Sequence, residues 1–95
     1  SDAKPIMEEA ERRFPREAAV WNLQGILHRK QGNVKEALQA FDQALKLDPE
    51  YASAYLNRGI AREEDGNGTG ACEDYRKAAD MGINEAKKYL DRECN

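Results

Sequence analysis

The chain has 95 residues and a net charge of −3; 35% of its residues are charged and 40% hydrophobic, with alanine alone contributing 14. That length holds at most one compact unit, and abundant Ala with balanced charge suits closely packed helices with solvated outer faces, which excludes a β-sandwich or a collagen-like chain. No run of Lys and Arg exceeds two, and the longest uncharged stretch is the ten residues from Ala18 to Leu27, so neither nucleic-acid binding nor membrane insertion is expected. The start at Ser1, with no Met and no apolar leader, reads as an excised segment or a mature form.

Hydrophobic spacing and turn residues predict six helices, at about residues 3–14, 17–31, 34–47, 51–65, 69–81 and 84–94. In the second of these, Trp21, Gly25 and His28 form one stripe at i, i+4, i+7, and Ala37, Phe41 and Ala44 repeat that spacing in the third. Facing stripes make a helical hairpin in which Gly25 and Ala37 permit a close crossing and Trp21 and Phe41 fill the remaining space. Gly32 ends one helix, while Asn33 with Glu36 has the spacing of a capping box for the next. Asp48-Pro49 closes that helix. The break recurs at Gly66-Asn67, where Gly68 and Gly70 weaken the first turn of the following helix.

A shift of 34 residues aligns the chain with itself without a gap. Trp21, Tyr55 and Tyr89 share a column, as do Gly25 and Gly59; Ala3, Ala37 and Ala71; Met7, Phe41 and Tyr75; Ala10, Ala44 and Ala78; and Pro15 and Pro49.

In these columns the chain resembles the tetratricopeptide repeats, most closely from Ala18 to Pro49. The departures are His28 and Arg62 in a column usually aromatic, Gln24 and Arg58 in one often leucine, and Ile83 in place of proline. The stretch from Tyr75 to Ala86 also looks like the Sel-type relatives. The resemblance implies an all-α fold, a right-handed α-solenoid of antiparallel helix pairs. It divides the chain into the second helix of a partial repeat (1–17), two repeats (18–51 and 52–85) and a polar C-terminal capping helix (86–95). Arrays of this kind bury a core only by stacking neighbours, so Ile6 and Met7 mark the N-terminal end as either a truncation scar, where a missing helix once packed, or a surface for self-association.

No catalytic constellation is visible, and neither a cofactor nor a metal is expected. His28 has no partner at ligand spacing and belongs to the packing stripe. Glu8-Glu9 and Glu63-Glu64-Asp65 read as solvated helix faces. The glycines of residues 66–70 look like a phosphate loop, but no strand precedes them and no Lys-Ser/Thr follows, so they read as a loosened turn.

Cys72 and Cys94 are more informative. A helix rising about 1.5 Å per residue carries the chain from Cys72 to the turn at Gly82, and its antiparallel successor brings Cys94 back to similar height. Ideal geometry turns Cys94 toward the face of Ile60, so a disulfide requires fraying of the final turn. A bond implies an extracytoplasmic compartment; two free thiols are the alternative, with a cytoplasmic location.

The family resemblance implies a concave groove lined by the first helix of each unit, binding a peptide or helix of a partner protein. Mapped onto this chain, its residues are Asn22, Leu23, Ile26, Arg29, Leu56, Asn57, Ile60, Glu63 and Lys87, with Asn22 and Asn57 free to pair with peptide amides. The carboxylate clamp of chaperone-tail binders is incomplete, because Ile26 and Asp91 stand where its polar or basic residues belong. A spacer or assembly segment acting through its ends is the alternative function.

Overall fold

The computed structural model describes residues 16–94, which form five helices joined by turns and no strand. We number them α1 (Arg16–Lys30), α2 (Val34–Leu47), α3 (Ala52–Glu64), α4 (Gly68–Asp80) and α5 (Asn84–Glu93). The helix expected over 3–14, and with it Ile6 and Met7, lies outside the described residues. Each helix packs on its neighbour in sequence, and α1 also meets α3. The result is a row of helical hairpins.

The turns explain the order. Gly32, Gly66 and Gly82 have φ of 85°, 85° and 100°, a left-handed conformation that a side chain would strain. Each lets the next residue donate back to the helix it has left: Asn33 to the His28 carbonyl at 2.8 Å, Asn67 to Arg62 at 2.8 Å and Ile83 to Ala78 at 3.0 Å. These bonds satisfy carbonyls that the helix end would otherwise leave open. The connection from α2 to α3 differs, with an extended Asp48 whose carboxylate accepts from the Glu50 amide at 3.1 Å.

The capping box expected at Asn33 and Glu36 does not form. The Asn33 amide proton is already committed to His28, so Glu36 has no cap N–H to accept from, and the Asn33 side chain makes no cap bond. Its Nδ2 turns to Gln31 Oε1 at 3.5 Å. Asn67, at the aligned position, does cap: its Oδ1 accepts from the Gly70 amide at 2.9 Å. That bond supports the glycine-rich first turn of α4, which begins at Gly68.

The core follows the repeat columns. Phe41 and Tyr75 are the largest fully buried side chains. A Cβ on Gly25 would stand 2.5 Å from the Phe41 ring, and one on Gly59 would stand 2.6 Å from the Tyr75 ring. Each glycine therefore lets an aromatic ring lie against the backbone of the partner helix, a contact that dispersion favours and a methyl group would break. Around these rings pack small residues: Ala37 and Ala61 beside Phe41, Ala71, Ala78 and Ala86 beside Tyr75, with Ala44, Leu45 and Ala54 between the two hairpins.

The last helix is held differently. Of α5 only Ala86 is fully buried, while Tyr89 stacks on Tyr75 with centroids 4.9 Å apart. Cys94 lies just beyond the helix, with φ −121° and ψ 9°. It stands at disulfide distance from Cys72 near the start of α4, S–S 2.10 Å and Cα to Cα 5.8 Å. The helix thus ends before Cys94, which stands outside its last turn. No described helix is long and apolar enough to cross a membrane.

Candidate partner-binding groove

Helices α1 and α3 lie side by side, and the residues mapped to the groove fall into four groups. Ile26 and Ile60 are half-buried, Ile26 against Ala37, Phe41 and Ala61, and Ile60 against the cluster around Tyr75. They leave part of each side chain facing outward. Asn57 is also half-buried, and Lys87 on α5 is exposed.

A second group is committed to neighbouring helices. Arg29 Nη1 donates to Glu64 Oε2 at 3.0 Å, bridging α1 and α3. Glu63 accepts a short hydrogen bond from the Tyr75 hydroxyl. Burial first, then the hydrogen bond and the negative charge of Glu63, push the Tyr75 phenol well above its ordinary value. The proton stays on tyrosine, and the Glu63 carboxylate is held in one orientation.

Two mapped residues are corrected. Asn22 is only 7% exposed; its Oδ1 accepts from Asn57 Nδ2 at 3.1 Å, and its Nδ2 donates to the Tyr51 hydroxyl at 3.4 Å. Asn22 is therefore not free for peptide amides, while Asn57, half-buried and donating to it across the α1–α3 contact, is held in place by that bond. Leu56, 7% exposed, belongs to the core around Tyr75 and Ala86.

Leu23 belongs to a different surface. It is 56% exposed and shares a stripe at i, i+3, i+7 with Val20 and Leu27, each 51% exposed. The position aligned with it in the next repeat, Asn57, points back toward α1. Leu23 therefore faces the N-terminal end of the row.

Sequence spacing did not reveal the charged cluster between α3 and α4. Asp74, with 4% of its side chain exposed, accepts from Arg58 Nε and Nη2 at 3.0 and 2.9 Å and from Arg62 Nη1 at 3.1 Å. Arg58 reaches on to Asp42 at 2.9 Å, and its guanidinium stands over the Tyr55 ring at 5.6 Å. Burial works against the Arg58 cation, but the hydrogen bonds and charges of Asp74 and then Asp42 outweigh it and raise its pKa. The signal was present in the departures: Arg58 and Arg62 take the columns usual for leucine and an aromatic, and a buried arginine needs a carboxylate. The other departure, His28, is half-buried, with Nδ1 enclosed and without a hydrogen-bond partner among the described residues. No cluster of three His, Cys, Asp or Glu able to hold a metal occurs there.

Residues 1–50 and 23–86 each match the model of the tetratricopeptide repeat family. The chain belongs to this family. No curated protein matches it. Tetratricopeptide repeats generally mediate contacts between proteins and are typically scaffolds without catalysis, and the all-helical row of hairpins agrees with that fold. Its paired columns are those of a tetratricopeptide array: Gly25 under Phe41 and Gly59 under Tyr75. Within that frame the Arg58–Asp74–Arg62 cluster occupies, in the second repeat, the positions that Gln24, Ala40 and His28 hold in the first.

Proposed function

We propose that this chain binds an extended segment of a partner protein along the groove formed by α1, α3 and α5. The observation that carries the reading is that Ile26 and Ile60, half-buried on the touching helices α1 and α3, keep outward surface beside polar groups whose orientation is fixed by hydrogen bonds. Asn57 is set by Asn22, Glu63 by Tyr75, and Arg29 by Glu64. Polar groups positioned before binding lose little freedom on binding. A segment with small apolar side chains suits the isoleucine strip, and Lys87 offers a cation at its far end. The cysteine pairing supports an oxidising, extracytoplasmic compartment for this encounter.

The test compares affinity capture by the parent chain and by a variant carrying Asn57→Ala, Ile60→Glu and Lys87→Ala, once circular dichroism shows equal helicity. Proteins retained by the parent and lost by the variant support the groove. Identical capture by both chains refutes it. The exposed stripe of Val20, Leu23 and Leu27 favours a second reading, assembly through the N-terminal end. A mass in solution that rises with concentration, and falls to the monomer with Leu23→Lys and Leu27→Lys, supports that alternative.

A further inference from the structure

We propose that Asn67 is the acceptor of an N-linked glycan. Asn67-Gly68-Thr69 has the Asn-x-Ser/Thr pattern with a residue other than proline in the middle. The repeat does not require it, since Asn33 at the aligned position is followed by Val34 and Lys35. The glycine-rich stretch that looked like a phosphate loop thus has another chemistry.

Three observations join the pattern. First, Asn67, the cap of α4, and Gly68 and Thr69 in its first turn are all exposed, and a Cβ built on Gly68 meets nothing within 4 Å. Second, the cap bond to the Gly70 amide uses Asn67 Oδ1, while Nδ2, the atom that would carry the sugar, donates no hydrogen bond among the described residues. A Cβ on Gly70 would come within 2.5 Å of that nitrogen, so the bare glycine is what gives the Asn67 side chain room on that side. Glycosylation therefore leaves the helix cap in place. Third, the Cys72–Cys94 pairing five residues onward supports passage through an oxidising compartment, the setting in which such acceptors are modified. The proposal rests on that compartment reading.

The surroundings also suit a carbohydrate. An open depression of about 480 Å³, lined by Gly68, Thr69, Glu73, Arg76, Glu93 and the two cysteines, begins at the two residues that follow the acceptor. It has room for the first sugars, with Glu73 and Arg76 as partners for their hydroxyls. In the transfer, Nδ2 attacks C1 of an oligosaccharide carried on a lipid diphosphate. The new N–C1 bond forms as the C1–O bond to the diphosphate breaks, and a base of the transferase takes the amide proton. The diphosphate leaves with the bonding pair, and no oxidation or reduction occurs.

The experiment directs the chain through a eukaryotic secretory route and measures its intact mass before and after a peptide-N-glycosidase, together with a count of free thiols under denaturing conditions. The expected result is a species heavier by a whole oligosaccharide, which the glycosidase removes while converting Asn67 to aspartate. It is absent from N67Q and T69A and retained in T69S. T69A leaves the cap asparagine intact, so its loss of mass is not a folding effect. A single unmodified mass with no free thiols overturns the acceptor assignment alone; two free thiols overturn the compartment reading beneath it.

Discussion

Replacing Asp74 with alanine tests whether the Arg58–Asp74–Arg62 cluster acts as one unit. Removing one partner of a fully buried ion pair costs about 3–5 kcal/mol, because the remaining charge loses its counterion without regaining water. Here Arg58 and Arg62 keep 17% and 26% of their side chains exposed, and Arg58 retains Asp42, so part of that cost is recovered. The expected loss is about 2–4 kcal/mol, which lowers the midpoint of thermal unfolding by at least about 8 °C in a domain of this size. The first repeat carries Gln24, His28 and a buried Ala40 at the aligned positions. Installing that set as Arg58→Gln, Arg62→His and Asp74→Ala removes the charges together with the carboxylate. The triple variant should recover at least about 1 kcal/mol relative to Asp74→Ala, a non-additivity expected of groups in one network. Urea unfolding followed by far-ultraviolet circular dichroism measures both. The reasoning is refuted if Asp74→Ala lies within about 0.5 kcal/mol of the parent, or if the triple variant is no more stable than the single one.

Gly25→Ala places a methyl group against the Phe41 ring; overpacking costs of about 1–3 kcal/mol should exceed the helix-propensity gain of about 1 kcal/mol, and Phe41→Leu in the same chain should relieve part of the loss in a double-mutant cycle. Cys72→Ser with Cys94→Ser opens a loop of separation 22, with an expected cost of about 3 kcal/mol, and hydrogen exchange should show α5 losing protection before the other described helices. Tyr75 is more basic in the folded chain than a free phenol, so the folded state holds its proton where the unfolded state releases it. Its contribution to stability is fully present below about pH 10, the ordinary tyrosine value, and declines as pH rises from there toward the folded value; Tyr75→Phe should flatten that alkaline decline in denaturant titrations.

The repeat columns made most of the fold legible. Gly25, Phe41, Gly59 and Tyr75 recur at one spacing because each ring needs a bare backbone opposite it, and such a steric demand is written directly in residue types. The turns at Gly32, Gly66 and Gly82 were legible for the same reason. Side-chain bonding was not. Nothing in the spacing of Asn33 and Glu36 reveals that the cap amide is already spent on His28, and nothing in Asn22 or Asn57 alone shows that they face each other across two helices. Candidate groove residues read from a helical face therefore divided on contact with the structure: Ile26, Ile60 and Lys87 keep outward surface, whereas Asn22 and Leu56 are claimed by packing. The charged cluster was hinted at only by what the columns lacked.

The sulfur bridge also changes how the end of the molecule carries load. Tension applied at the C-terminal end enters at Cys94 and crosses to Cys72, at the first turns of α4, without running through α5. Helix α5 and most of α4 form a closed ring beside that path, so a pull that would peel an unbridged terminal helix away one turn at a time is borne instead by the contact between α3 and the start of α4. Extension of the bridged chain should lack a contour-length step for the residues within the ring until a reductant is added.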